Sequence, residues 1–385
     1  MEFIKKIGKS ENGSVTVYVL STLIVVLLVT TTIYIGLKNK TTTQIKQMDK
    51  INKEYSVTDN DMQEAYNNSV IIKTLKSVKG TETTNTTVKD NLGNQVVVPA
   101  GFKVVNPDDN VTDGIIIEDI SHSATAGSQF VWIPVGDIIK DSEGNKETIK
   151  LSRYTFSSDG TSTDQSSKTI VSCFTEVNTS TYGNTTAKEN IESEKSGFRK
   201  SAKDNHGYYI GRYEAREKSA TSARTSSSVE TNQLVCTANN YVYNYITQPK
   251  AAELSRGMYS DSNFESDLMN SYAWDTAIVF LQKFDNRANK ASLKPYSGQT
   301  SLNNNLASQG TNNLSDTSKQ DVICNVYDMA SNCSERTTET SSGSVVPCTH
   351  RGGDYLNRYR YTSSRGSDRT TGSGHNDSFR TLLYM

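Results

Sequence analysis

The residues able to do chemistry are few and scattered. Five cysteines occur without a CxxC pair. Their number is odd and their spacing fits neither a zinc ligand set nor a full disulfide framework. Cys324, Cys333 and Cys348 read as small buried hydrophobes, with a disulfide among them left open. The four histidines, His122, His206, His350 and His375, show no metal-ligand spacing. No phosphate loop, serine elbow or paired-carboxylate signature is present. One stretch does stand out, 354–378, within "RGGDYLNRYRYTSSRGSDRTTGSGHNDSFRTLLYM", whose single aliphatic side chain is Leu356. It carries Asp354, Tyr355, Asn357, Arg358, Tyr359, Arg360, Tyr361, Arg365, Asp368, Arg369, His375 and Asn376. Those types suit contact with a ligand: Tyr and Arg dominate binding hot spots, and Ser, Gly and Asn adapt to shape. The competing reading is a passive, mutable surface loop.

Such a segment needs a scaffold to hold both of its ends. Arg351-Gly352-Gly353 precedes it and Phe379-Arg380 follows it. Glycine pairs let backbone pass close to neighbouring structure. Asp328, Glu335, Arg351 and Arg380 are charges set inside otherwise apolar motifs, and such charges are rarely buried unless paired. They are read as ion pairs and backbone staples, not as catalysts. "QVVVPAGFKVV", "GIIIEDI", "QFVWIPV" and "GYYIGRYEA" are β-branched or aromatic runs bounded by Gly, Pro and Asp, which predicts strands. "QPKAAELSRGMY" and "SYAWDTAIVFLQKF" predict helices, the second placing Trp274, Ala277, Ile278 and Leu281 on one apolar face with Trp274 in the core. About seventy residues after Val135 and the stretch 291–319 read as polar surface insertions.

Composition sets limits on partners. The net charge of −1 gives no electrostatic case for nucleic acid. A hydrophobic content of 34% with a mean hydropathy of −0.58 requires much polar loop. The exception is 15–37, "VTVYVLSTLIVVLLVTTTIYIGL", which has no charge and no proline. At about 1.5 Å rise per residue it crosses a hydrocarbon core of about 30 Å, so a single transmembrane helix in membrane lipid is expected. It is too long for a secretory h-region and no small-residue cleavage site follows. The flanking lysines are nearly balanced, and the Ser/Thr/Asn-rich remainder places the N-terminus inside and the C-terminal domain outside the cell. The expected organisation is a basic leader at 1–14, the span at 15–37, a helical stalk and linker at 38–91, and an ectodomain at 92–385. In the stalk, Ile45, Met48, Ile51 and Tyr55 form one narrow apolar stripe, and "GTETTNTTVKDN" reads as linker.

Two resemblances follow from these motifs. The leader and apolar helix resemble the anchors of type IV pilin-like proteins, with Gly13 before Ser14 but Tyr18 where that family carries an acid. "GYYIGRYEA", "NVYDMASNCSERTTE", "RGGDY" and "FRTLLYM", in that order, resemble the formylglycine-generating, sulfatase-modifying family. Asn325, Val326, Asp328, Met329, Ala330, Asn332 and Glu335 match its Asn-Val-Trp-Asp-Met-Ala-Gly-Asn-Val-Trp-Glu pattern. "VVVPAGFKV" and "FVWIPV" are similar to membrane-anchored bacterial members. The resemblance implies an α+β, C-type-lectin-like domain with long polar insertions behind the N-terminal transmembrane helix. The structural residues it marks are Asn325, Asp328, Asn332, Glu335, Arg351, Gly352, Gly353, Phe379 and Arg380. The family's two active-site cysteines fall at Asn357 and Thr362, so oxidase activity is expected to be lost and copper is not expected. Calcium is admitted by the resemblance, and no cofactor is fixed by the residues. The segment also resembles the C-terminal variable region of retroelement-diversified proteins.

Three function classes stay open: a membrane-anchored cell-surface module binding a protein or glycan, a pilus-associated structural subunit, and a divergent formylglycine-generating oxidoreductase.

Overall fold

The computed structural model describes residues 21–23, 25, 73–156, 161–165, 175–176, 197–227, 233–238, 241–259, 263–284, 322–330, 332–340, 348–354, 356 and 362–385. The chain divides into two compact units, Met1–Ile71 and Ile72–Met385. In the first, only residues 21–23 and 25 are described, and they are helical. The expected leader and membrane span otherwise lie outside the described residues, as does the expected stalk up to residue 72; beyond it Leu75–Ser77 form a single 3-10 helical turn. Among the described residues no helix is long and apolar enough to cross a membrane.

The second unit is a mixed α and β structure of small antiparallel sheets and few helices. Its principal strands are β1 (Phe102–Val104), β2 (Ile116–Asp119), β3 (Gln129–Pro134), β4 (Gly207–Gly211), β5 (Glu265–Leu268), β6 (Ser334–Thr340), β7 (Cys348–Arg351), β8 (Arg365–Asp368), β9 (Asp377–Phe379) and β10 (Thr381–Tyr384). The helices are α1 (Gly197–Asp204), α2 (Gln248–Gly257) and α3 (Ser271–Phe284). The larger sheet has six strands in the order β5-β10-β4-β3-β2-β1, every neighbour antiparallel. The smaller runs from a two-residue strand, Thr175–Glu176, through β6 and β7 to β8, and β9 joins β6 in parallel.

Apolar runs built the larger sheet. Phe130, Val131, Trp132 and Ile133 are all fully buried, so both faces of β3 are covered. The Trp132 ring stands edge-on to Tyr209 at 4.9 Å and lies where a Cβ on Gly207 would be, so that position admits only glycine. Helix α2 opens on Thr247, whose hydroxyl accepts from the Lys250 N–H at 3.4 Å, with Pro249 in its first turn. Helix α3 is buried from Ser271 to Leu281 on every side, so the face of Trp274, Ala277, Ile278 and Leu281 is only part of what it hides. Asn270 Oδ1 caps it by accepting from the Ala273 N–H at 2.9 Å.

Three places depart from expectation. The stretch read as linker, 80–91, contains a strand, Thr86–Lys89, paired antiparallel with Gln95–Val98. The polar region after Val135 holds two hairpins, Gly136–Ile139 with Lys146–Ile149 and Tyr154–Phe156 with Ser162–Asp164, and then α1. Strand β6, "SERTTET", is built almost wholly of polar residues and yet Ser334 to Glu339 are at most 1% exposed. Glu335 stands opposite Arg351 and Arg336 opposite His350, so these two neighbours point to opposite faces. The pairing then shifts register before Thr340 meets Cys348.

A candidate ligand-binding segment between buried ion-pair anchors

Strand β6 sends ion pairs to both ends of the 354–378 segment. At the entrance, Arg351 on β7 donates from Nη1 to Glu339 Oε2 at 2.9 Å and from Nη2 to Asp275 Oδ1 on α3 at 2.5 Å. Arg365 on β8 closes the ring, donating from Nη2 to Asp275 Oδ2 at 2.7 Å and from Nε to Glu339 Oε1 at 2.8 Å. Arg153 approaches Glu339 at 3.6 Å. Asp275, Glu339 and Arg351 are inaccessible to solvent. Burial alone would raise the Glu339 carboxyl, but Arg365, Arg351 and Arg153 outweigh it and hold it down at about 2. The Arg351 guanidinium also lies 5.6 Å from the centre of the Trp274 ring, whose indole N–H donates to the Thr362 carbonyl at 2.9 Å. Gly352 has φ +81, and a Cβ there would sit 2.6 Å from the Met329 carbonyl oxygen, so glycine is required on both counts.

At the exit, Arg380 lies between β9 and β10, where the chain leaves the smaller sheet for the larger. It is fully buried. Its guanidinium pairs with Glu335, with Nη2 2.6 Å from Oε1, and donates to the carbonyls of Gly211 and Tyr327, each at 2.7 Å. One fixed charge thus ties together β4, β6 and the short strand Val326–Tyr327. Burial outweighs Arg380 at Glu335 and leaves that carboxyl above its ordinary range. Burial, then Glu335 and Asp328, push the Glu214 carboxyl well above its ordinary range. Glu214 is bridged to Asn332, whose amide donates to it, and accepts from the Cys333 N–H at 3.2 Å.

The motif residues around this pair share a backbone reason. Asn325, Asp328 and Asn332 have φ of 65°, 60° and 59°, the left-handed region that Asn and Asp tolerate best among residues with a Cβ. Asn325 also donates from Nδ2 to the carbonyls of Asp113 and Gly114 at 3.1 and 2.8 Å. Phe379 is fully buried, with its ring edge-on to Tyr243.

A third network lies on the other face of β6. Arg336, fully buried, donates from Nη2 to Asp368 Oδ2 and Asp377 Oδ2, each at 2.7 Å, and to the Gly372 carbonyl at 3.0 Å. His350 Nδ1 stands 3.1 Å from Asp377 Oδ1, and Ser334 donates its hydroxyl there at 2.8 Å. Burial would raise Asp377, but the His350 hydrogen bond and Arg336 hold it well below the usual carboxylate range. The His350 ring sits where any side chain on Gly366 would be.

The candidate contact residues therefore fall into distinct environments. Arg365 and Asp368 take part in the internal networks just described. Asp354 is buried, accepting from the Leu356 N–H at 2.9 Å. Asn376 is half-buried, and its carbonyl accepts from the Ser334 N–H at 2.8 Å. Arg369 and His375 are exposed, together with Ser367, Thr370 and Thr371. Leu356 is 54% exposed. Tyr355, Asn357, Arg358, Tyr359, Arg360 and Tyr361 lie outside the described residues. Sequence reasoning missed Asp275 and Glu339, the acids that hold the entrance. The signal for Asp275 was a lone carboxylate inside an apolar helix.

The four described cysteines, Cys236, Cys324, Cys333 and Cys348, carry free thiols. Burial raises Cys236 to about 12, Cys348 to about 11 and Cys333 well above its ordinary value, so these three remain thiols rather than nucleophilic thiolates. Among the described residues no cluster of His, Cys, Asp or Glu is arranged to hold a metal ion.

No family model matches the chain, and neither does any curated protein. Solved structures similar over part of it include the following two. Variable protein 1 of Treponema denticola is 11% identical with a TM-score of 0.31, covering 46% of this chain and 85% of that one. The crystal structure of CarF is 16% identical with a TM-score of 0.29, covering 37% of this chain and 67% of that one.

Proposed function

We propose that the chain is a binding module in which 354–378 contacts a ligand while the surrounding sheets hold it still. The observation that carries this reading is the contrast between the segment's ends and its surface. Both ends are fixed by buried ion pairs, Arg351 with Asp275 and Glu339, and Arg380 with Glu335. Between them Ser367, Arg369, Thr370, Thr371 and His375 are exposed. A contact surface set on rigid elements loses little conformational freedom on binding. The Tyr- and Arg-rich residues 355–361 belong to the same segment and are the types that dominate binding energy.

The finer reading rests on the sequence motifs. The scaffold is taken as a C-type-lectin-like domain of the sulfatase-modifying kind, with Asn357 and Thr362 at the family's cysteine positions. The buried, high-pKa thiols of Cys333 and Cys348 support a non-oxidising role. The apolar run 15–37 would tether the module in membrane lipid with the segment outside the cell.

The test is a binding screen of the full-length protein against immobilised peptides and glycans, repeated with Ser367, Arg369, Thr370, Thr371 and His375 all changed to Ala. The variant keeps its melting temperature, because exposed substitutions usually change stability by less than about 0.5 kcal/mol each, and it loses the ligands that the parent retains. Ligands held equally by parent and variant and by a Tyr359→Ala, Arg360→Ala variant overturn the reading.

A further inference from the structure

The exit anchor holds one cation and more than one acid. Arg380 gives every donor nitrogen a partner: Nε and Nη2 go to Glu335, Nη1 to the Gly211 carbonyl, and Nη2 also to the Tyr327 carbonyl. None of these bonds reaches Glu214. That residue lies just beyond β4 and is fully buried. It accepts from two neutral donors, the Asn332 amide and the Cys333 N–H. Among the described residues it has no other hydrogen-bond or ion-pair partner. The nearby cations along the chain are engaged elsewhere. Arg212 donates to Gln129 at 2.7 Å, and Arg216 donates to the Ala238 carbonyl at 3.0 Å and to the Thr237 hydroxyl. The titratable groups that face Glu214 are Glu335 on β6, Asp328 and Cys333 ahead of that strand, and Arg380 between β9 and β10. A carboxylate taken out of water with no cation of its own keeps its proton instead, in line with the upward shift described above.

The position of this carboxyl gives its proton a structural role. Asn332 and Cys333 lead directly into Ser334, the first residue of β6. The Ser334 N–H donates to the Asn376 carbonyl at 2.8 Å, and its hydroxyl donates to Asp377 at 2.8 Å. On the other side of Glu214, the Ala215 N–H donates to the Phe379 carbonyl at 2.8 Å. Glu214 thus lies between the backbone bonds that fix both ends of β9, where the 354–378 segment leaves for the larger sheet.

We infer that Glu214 is a proton-operated latch: it joins Asn332 and Cys333 as a neutral acid, and they part from it only with release of that proton, so that the exit of 354–378 opens more readily as the medium turns alkaline. The closed site binds the proton more tightly than the open, hydrated one. Closure is therefore fully favoured below the ordinary value of 4.5. Above it, opening rises about tenfold per pH unit until the closed group itself ionises.

The test is amide hydrogen exchange of the full-length protein and of Glu214→Gln, a neutral isostere, between about pH 5 and pH 8. Exchange is read on peptides covering 332–340 and, as an internal reference, 129–134 in β3. Comparison at each pH cancels the intrinsic rate. The parent-to-variant ratio over 332–340 rises about tenfold per pH unit in the lower part of this range, while the β3 ratio stays flat. The infrared carbonyl band of a protonated carboxylic acid appears at about pH 7 in the parent-minus-variant difference spectrum. Should Glu214→Gln fail to fold, the ratio of 332–340 to β3 exchange within the parent carries the same test. A ratio independent of pH overturns the latch, as does the absence of the acid band. An equal rise in β3 also overturns it, because the proton is then linked to global unfolding and not to the exit.

Discussion

Changing Arg380 to Met removes the charge that fixes the exit of the segment. The buried guanidinium bonds Glu335 through Nη2 at 2.6 Å and Nε at 3.1 Å, and it donates to Gly211 O and Tyr327 O at 2.7 Å each. Breaking a buried ion pair from one side costs about 3–5 kcal/mol, because the remaining charge has no partner. Each orphaned carbonyl adds about 1 kcal/mol. Glu335 escapes part of the cost by taking up a proton, so the expected loss is about 5 kcal/mol, against a total stability of about 5–15 kcal/mol for a domain. Urea unfolding followed by the fluorescence of Trp132 and Trp274, both fully buried, measures it. The double variant Arg380→Met, Glu335→Gln should recover about 2 kcal/mol relative to Arg380→Met, since no unpaired carboxylate is left. An Arg380→Met midpoint corresponding to less than about 1 kcal/mol of loss, or strictly additive behaviour in the cycle, would refute the view of this pair as an anchor.

The other networks give further expectations. The Glu339 carboxyl lies at about 2, against an ordinary 4.5. The unfolded chain therefore takes up that proton first as pH falls: the contribution is complete above about 4.5 and is lost on descending to about 2, a change of about 3 kcal/mol. Urea midpoints across that range should show this slope in the parent and not in Glu339→Gln, which starts from a lower stability. Gly366→Ala forces a Cβ onto the His350 ring, which Asp377 holds in place, and should cost about 1–3 kcal/mol as overpacking does. Ser367→Ala, one residue on and exposed, should stay within about 0.5 kcal/mol by thermal melting. Among the four described cysteines, half-buried Cys324 should alkylate first with iodoacetamide in the native protein, ahead of buried Cys236, Cys333 and Cys348; mass spectrometry of the digest gives the order.

Much of the larger sheet was legible because its strands are continuous apolar runs. "QFVWIPV" and "GYYIGRYEA" became β3 and β4, and the two predicted helices became α2 and α3. Strand β6 was not legible by hydrophobic periodicity. "SERTTET" carries no apolar residue, and its burial rests on ion pairs to residues far away in sequence, such as Arg380 and Asp377. The hairpins after Val135 and the strand Thr86–Lys89 were hidden by polar composition, since their pairing is local and only one side of each is covered. For the candidate site, residue type identified the anchors. Charges inside apolar motifs at Glu335, Arg351 and Arg380 had to be paired, and the structure pairs them. Type could not separate Arg365 from Arg369. One reaches Asp275 and the other is exposed, a difference set by strand position alone.

The place of β10 has a consequence for how the segment can change. Residues 381–384 are the last strand in the chain, yet they lie inside the larger sheet, between β5 and β4. A stop codon or frameshift anywhere in 354–378 therefore removes a central strand along with Phe379 and Arg380. Two inner edges are left bare and Glu335 is left without its partner. The reading frame of the segment is in this way tested by the fold itself: only a chain translated correctly through 354–378 can complete the larger sheet.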